Sequence, residues 1–134
     1  MLENYYVWVM MVNGGRMTEV IIQNKPVTLR ISKKAQKVLE QRDRQLFVEM
    51  ELYFSCLIRK QVLFHDIQRQ ADSVRVDDKL SVSFHPVMTA SCMIKDAEPE
   101  PVKSDFEIQR RESFIPKWLT IDFKKGSFSG EFGY

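Results

Sequence analysis

The longest alternating pattern in this sequence runs from Leu46 to Ile58. Every even-numbered position in it is apolar: Leu46, Val48, Met50, Leu52, Phe54, Cys56 and Ile58. Period two predicts a β-strand with one buried face, and it places Glu49 and Glu51 on the opposite, solvated face. A long half-buried strand needs partner strands and a covering layer, so the pattern favours a domain built on sheets.

The rest of the chain predicts further short strands and one helix. Ser32 can cap a helix from Lys33 to about Arg42, because apolar side chains recur there at a spacing of three to four. Segment 67–78 is predicted to be irregular, and Pro86 to end a strand or mark a sheet edge. Alternatively, residues 87–94 continue that strand after a kink at the proline. Strands are predicted at 18–23, 27–31, 62–65, 80–84, 118–123 and 127–134, with turns at 24–26, 59–61 and 124–126. The sum is a single α+β domain, with a mostly antiparallel or mixed sheet and at least one packed helix over about 33–42.

The first 16 residues allow two interpretations. They form either a native first strand that ends in a hairpin turn at Asn13-Gly14, or an extension upstream of a start at Met17. Residues 17–134 are predicted to be one domain, and the stretch 95–105 (KDAEPEPVKSD) to be a loop within it. The apolar run of residues 5–12 has no basic region before it and no cleavage site after it, so we do not expect a signal peptide.

Charge and composition exclude several classes of partner. The chain has 134 residues, 20 of them basic and 18 acidic, which leaves a net charge of only +2. This balance argues against nucleic acid as the main partner. A transmembrane helix needs about 20 apolar residues in succession, and the sequence contains no such run. Two cysteines do not make a disulfide framework, so a reducing, cytoplasmic location is expected.

Two cysteines and two histidines are the candidate metal ligands: Cys56, Cys92, His65 and His85. Zinc or an iron–sulfur centre would need three or four of these residues to converge. None of them forms a local ligand motif, so the competing interpretation is two core cysteines and two exposed histidines. We therefore expect no cofactor, with an iron–sulfur cluster or zinc at these four positions as the alternative.

A cysteine nucleophile would need a histidine base nearby. Cys56 and His65 flank a predicted turn, but the alternation places the thiol and the imidazole on opposite faces. No glycine-rich phosphate loop and no G-x-S-x-G motif occurs. The aromatic residues of the last 29 positions, with lysines and arginines between them, could form a platform for single-stranded nucleic acid. A core hairpin is the interpretation that we prefer for them.

The order of the elements around the predicted helix resembles the HesB-like, A-type iron–sulfur carriers. The similar features, spread over residues 27–134, are Leu29-x-Ile31-Ser32-x-x-Ala35-x-x-Val38-Leu39, a long strand that reaches Cys56, and Leu119-x-Ile121-Asp122-Phe123 followed by Gly126 and Phe128. The resemblance implies a related α+β architecture. It also implies that Cys56 would be a cluster ligand.

The chain departs from that family at the ligand positions. The family's glycine-flanked cysteine appears here as Phe54-Ser55-Cys56-Leu57, without the glycines. The family's C-terminal pair of cysteines is absent, since the chain ends Gly130-Glu131-Phe132-Gly133-Tyr134. Two of three cluster ligands are therefore missing, and cluster transfer by the family's mechanism is not expected.

The sequence as a whole predicts a small, non-enzymatic binding domain that contacts a protein partner or a second copy of itself. The alternative is a thiol- or metal-dependent protein that uses Cys56 with Cys92 or with His65 and His85. An enzyme of unrecognised type is a third interpretation. No catalytic residue is proposed.

Overall fold

A computed structural model describes residues 9–54, 57–89, 103–105 and 114–134. Ten strands and one helix lie within them: β1 Val9–Val12, β2 Gly15–Ile22, β3 Lys25–Ile31, α1 Lys33–Gln41, β4 Leu46–Phe54, β5 Ile58–His65, β6 Val74–Asp77, β7 Leu80–Thr89, β8 Lys103–Asp105, β9 Trp118–Lys124 and β10 Ser127–Gly133. The α+β prediction is therefore correct in its coarse form, although strands dominate and the helix content is low.

The strands form two sheets. The first has the order β1-β2-β3-β9-β10, and the second has the order β5-β4-β7-β6 with β8 beside β7. Pairing is parallel between β3 and β9 and between β4 and β7, and antiparallel elsewhere. Both sheets are therefore mixed.

Three hairpins of the first sheet close with the same kind of turn. Each turn has two residues with positive φ, between 50° and 82°: Asn13-Gly14, Gln23-Asn24 and Lys125-Gly126. This is the type I′ geometry, whose twist matches that of antiparallel strands. The turn expected at 24–26 therefore lies one residue earlier, and Pro26 belongs to β3, opposite Ile21.

One hydrophobic core joins the facing sides of the two sheets. The even positions of β4 lie in it, and Met50 is fully buried, so the predicted facing of this strand is confirmed. Helix α1 adds Ala35 and Leu39 to the same core. Its predicted cap is also confirmed, since Ser32 Oγ accepts a hydrogen bond from the Ala35 N–H at 3.1 Å.

Ser32 also links the helix start to β9. Its Oγ donates a hydrogen bond of 2.7 Å to Asp122 Oδ1. This hydrogen bond is the main reason why the pKa of Asp122 lies below its usual value. The contact therefore favours the charged carboxylate and fixes the helix start against the first sheet.

The two sheets also meet along their sides. On one side β10 lies against β5, where the rings of Phe64 and Phe128 stack with centroids 5.7 Å apart. On the other side β2 reaches β6 through an ion pair of 2.6 Å between Arg16 Nη1 and Asp77 Oδ2. Strand β1 lies on the outer side of β2, which is the strand of the first sheet that contacts β6 on this side.

Four predicted boundaries are wrong. The long strand ends at Phe54, and the residues predicted to turn at 59–61 are in β5, because the hairpin closes earlier. Segment 67–78 contains β6, whose valines alternate and pair with β7. Strand β8 lies inside the predicted loop 95–105. By contrast, Pro86 does not end β7, and the expected continuation past the proline is confirmed as far as Thr89.

Pro86 is tolerated because of its position in β7. Among the described residues, β6 pairs with β7 only as far as Val82, and β8 pairs from Val87 onward. No described strand therefore lies beside Pro86 on that side of β7. A proline is accepted in a strand where the ladder does not need its missing N–H.

Several predictions fall on residues that are not described. These are the burial of Cys56 and Cys92, the continuation of a strand over 90–94, the loop at 95–102, and any structure of residues 1–8. All of them stay predictions.

Candidate functional site

The candidate metal ligands are only partly described, because Cys56 and Cys92 lie outside the described residues. His65 ends β5 and His85 lies in β7, on the two strands that flank β4. Neither histidine is as exposed as the sequence suggested, since both are half-buried, and the His65 side chain is 19% exposed.

The sheet register separates the two histidines. His65 lies opposite Phe47 of β4, whereas His85 lies beside Glu51, four positions further along the same strand. With strands about 4.8 Å apart and a rise of about 3.3 Å per residue, their backbones are roughly 16 Å apart. One ion therefore cannot bind both histidines in this arrangement. Among the described residues, no group of three or more histidine, cysteine, aspartate or glutamate side chains could hold a metal.

Glu49 and Glu51 contradict the sequence-based expectation of two solvated carboxylates. They do lie on the face of β4 opposite Met50, but they are only 6% and 5% exposed. The reason is cover from neighbours in the fold. Gln61 of β5 donates to Glu51 Oε1 at 2.6 Å, and Gln70, from the connection before β6, donates to Glu49 Oε2 at 3.0 Å.

The second carboxylate oxygen of Glu49 faces His65, with 3.4 Å between Oε1 and Nε2. This is within ion-pair range, but the buried Nε2 makes no hydrogen bond of good geometry with any described residue. One oxygen of Glu49 thus accepts a hydrogen bond from Gln70, and the other lies near the His65 imidazole. This arrangement is typical of a buried polar network that stabilises the fold.

The β1 strand is the most unusual surface feature of the described residues. Val9, Met10 and Met11 are 58%, 52% and 59% exposed. Successive residues of a strand point to opposite faces of its sheet. Both faces of β1 are therefore apolar and exposed. We call Val9–Val12 the overhanging strand, because it lies on the outer side of β2, the strand of the first sheet that contacts β6.

The overhanging strand is held in position by its turn. An ideal Cβ added at Gly14 would come within 2.9 Å of Lys33 Cγ, and one added at Gly15 within 2.4 Å of the Ile31 carbonyl oxygen. The two glycines therefore allow the turn to lie directly against the start of α1. The sequence signalled this feature through Asn13-Gly14 and the apolar run before it.

The backbone of the overhanging strand offers unpaired groups along its outer edge. In a hairpin with a two-residue turn, the residues that flank the turn bond to each other, here Val12 and Gly15. Alternation then directs the N–H and C=O groups of Met11 and Val9 away from β2. Among the described residues, no strand pairs with that edge.

Comparison with known proteins identifies no relative. No protein family, curated protein or solved structure matches this chain significantly. In the described part of the chain, no helix is long and apolar enough to span a membrane.

Proposed function

We propose that this protein is a non-enzymatic binding domain that accepts a β-strand of a protein partner on the outer edge of the overhanging strand. One observation carries the proposal: Val9, Met10 and Met11 are all more than half exposed, on both faces of an edge strand. Edge strands of monomeric proteins are normally protected by charge, proline, bulges or cover. The overhanging strand contains neither charge nor proline.

The backbone supports the same proposal. The outward N–H and C=O groups of Val9 and Met11 can form a ladder with an added strand, as in β-augmentation. The side chains on the two faces would then contact alternate residues of that strand. The partner that fits is an extended segment that carries no charge over the paired residues and has β-branched or apolar side chains on both faces.

The expected affinity is modest. Complete burial of a valine or methionine side chain contributes about 1.5–3 kcal/mol, so covering three half-exposed ones gives about 1 kcal/mol each. Each new backbone hydrogen bond adds about 0.5–1.5 kcal/mol. Association costs roughly 4–15 kcal/mol, so binding should be reversible rather than permanent.

A labelled model strand tests the proposal. The probe is a soluble peptide of alternating valine and threonine with lysines at both ends, and the readout is fluorescence anisotropy against the full chain. We expect saturable binding, lost in Met11→Pro because this change removes an outward N–H without breaking the bonds to β2. Ile67→Pro is the matched control, since Ile67 is 67% exposed and lies outside every strand.

The anisotropy experiment has a clear contrary outcome. If wild type and Met11→Pro bind the peptide equally, or if neither binds it, then the edge is not a strand-binding site. Thermal unfolding of each variant shows whether it is folded under the conditions of the experiment.

The resemblance to HesB-like carriers, the thiol or metal alternative and the cytoplasmic location stay predictions. Elemental analysis of protein purified under reducing conditions tests the metal alternative. A full equivalent of zinc or iron, lost on Cys56→Ser or Cys92→Ser, would support it against the binding domain without a cofactor.

A further inference from the structure

We infer that the strand that pairs with the overhanging strand is that of a second copy of this chain, antiparallel to it, about a two-fold axis beside Met10. This inference rests on the proposed function, because it names the partner of the same edge. A two-fold axis is the commonest symmetry of protein dimers, and it presents the same surface on both copies.

Hydrogen-bond parity restricts the register of such a pair. The outward backbone groups belong to Val9 and Met11, so the bonded pairs between copies must join these residues to one another. The pairing in which Val9 lies opposite Met11 of the second copy satisfies this condition. It also places Met10 opposite Met10. Every side chain of the overhanging strand that is known to be exposed then has an apolar partner.

Charge does not oppose a second copy as the partner. The overhanging strand carries no charged side chain, so its self-pairing brings no like charges together on the strand. The nearest basic residue of β2, Arg16, lies opposite Met11 and is already paired with Asp77. The net charge of +2 also leaves little overall repulsion between copies.

The size of the junction predicts a weak dimer. Pairing would join two five-stranded sheets into one continuous sheet across the axis. The contact involves one short strand from each copy, so it is smaller than the roughly 1,200–2,000 Å² of stable complexes. We therefore expect monomer and dimer to exchange, with the dimer populated only at high protein concentration.

Disulfide trapping of the full chain tests the register. Residues opposite each other in a non-hydrogen-bonded antiparallel pair have Cα atoms about 4.5 Å apart, a distance at which a disulfide can form. Under mild oxidation, Met10→Cys should form a covalent dimer. Wild type, which retains Cys56 and Cys92, and Ile67→Cys should not. Met11→Cys should form much less covalent dimer, because the residue opposite position 11 in the second copy is Val9, which has no thiol.

Sedimentation equilibrium provides an independent measurement without cysteine chemistry. Wild type should associate with increasing concentration, and Met10→Asp should weaken association at least tenfold because two carboxylates would meet at the axis. Ile67→Asp should leave it unchanged. The inference would be overturned if the wild type stayed monomeric and the Met10→Cys variant formed no covalent dimer. Efficient trapping at Met11→Cys instead would overturn the register.

These outcomes separate the inference from the proposed function. A chain that stays monomeric but binds the valine–threonine peptide would retain the strand-binding edge and exclude the second copy as its partner. A chain that neither associates nor binds the peptide would lose both.

Discussion

The two outer strands of the first sheet, β1 and β10, differ in what lies opposite them. Strand β10 faces the second sheet. Phe132 is 1% exposed, and the centroids of its ring and that of Phe84 are 6.3 Å apart. In the described part of the chain, β1 makes no extensive contact with the second sheet, and three of its apolar side chains are more than half exposed. The phenylalanines of β10 are therefore packed against the second sheet, whereas the apolar side chains at positions 9–11 of β1 remain exposed.

The outer strands of the second sheet are protected in a different way. Strand β5 carries Arg59 and Lys60, and β6 has a register shift between Arg75 and Asp77. Charge and irregularity are common protections of an edge. The overhanging strand has neither of them, which distinguishes it from the charged edges as well as from β10.

The largest effect should come from breaking the covered edge. Phe132→Ala should lower the free energy of unfolding by about 3–5 kcal/mol, because it leaves a cavity between the sheets. Met10→Ala, at the overhanging edge, should lower it by no more than about 0.5 kcal/mol. Urea unfolding of both variants measures the difference. Equal losses would show that β1 is as well covered as β10.

A second prediction concerns the burial of Glu49, on the face of β4 opposite Met50. Glu49→Ala should cost about 1–3 kcal/mol, because it leaves Gln70 without its acceptor and removes the carboxylate beside His65. Glu131→Ala, on the exposed part of β10, is the matched control and should cost no more than about 0.5 kcal/mol. If Glu49→Ala and Glu131→Ala lose the same free energy of unfolding in urea, then the Glu49 carboxylate is not buried.

Gly130 gives a sharper test of the contact between β10 and β5. A Cβ at this position would lie 2.9 Å from the Thr120 carbonyl oxygen and 3.2 Å from Val62 Cγ1. Gly130→Ala should therefore cost about 1–2 kcal/mol through overpacking. A variant as stable as wild type in thermal unfolding would mean that Gly130 lies further from the Thr120 carbonyl and from Val62 of β5 than these distances indicate.

The smallest effect on stability should come from deleting the overhanging strand. A chain that begins at Asn13 should lose about 1 kcal/mol or less, because among the described residues β1 pairs only with β2, and Val9, Met10 and Met11 are each more than half exposed. It should also lose any self-association. A chain that begins at Met17 also lacks Arg16, and should lose up to about 1 kcal/mol more with the ion pair to Asp77.

Thermal unfolding and sedimentation of these two truncated chains provide the measurement. A large loss of stability from the first truncation would show that residues before Asn13 are an integral part of the core. That outcome would remove the main argument for an exposed binding edge.

Local pattern was sufficient to predict much of the fold. Period two in β4 predicted which face is buried, and Ser32 with the 3–4 spacing after it predicted α1 to within one residue of its end. Asn13-Gly14 predicted a hairpin. These signals act within a few residues of each other, through backbone geometry and burial, and therefore need no knowledge of the rest of the chain.

Only the tertiary structure decided what covers each surface. The alternation of β4 placed Glu49 opposite Met50, but Gln70, 21 residues later, covers it. The sequence likewise allowed His65 and His85 to converge, and the parallel pairing of β4 with β7 separates them. The overhang of β1 depends on the contact of the second sheet with β2 through β6. Each of these outcomes depends on contacts between residues far apart in the chain, which no local pattern of polarity encodes.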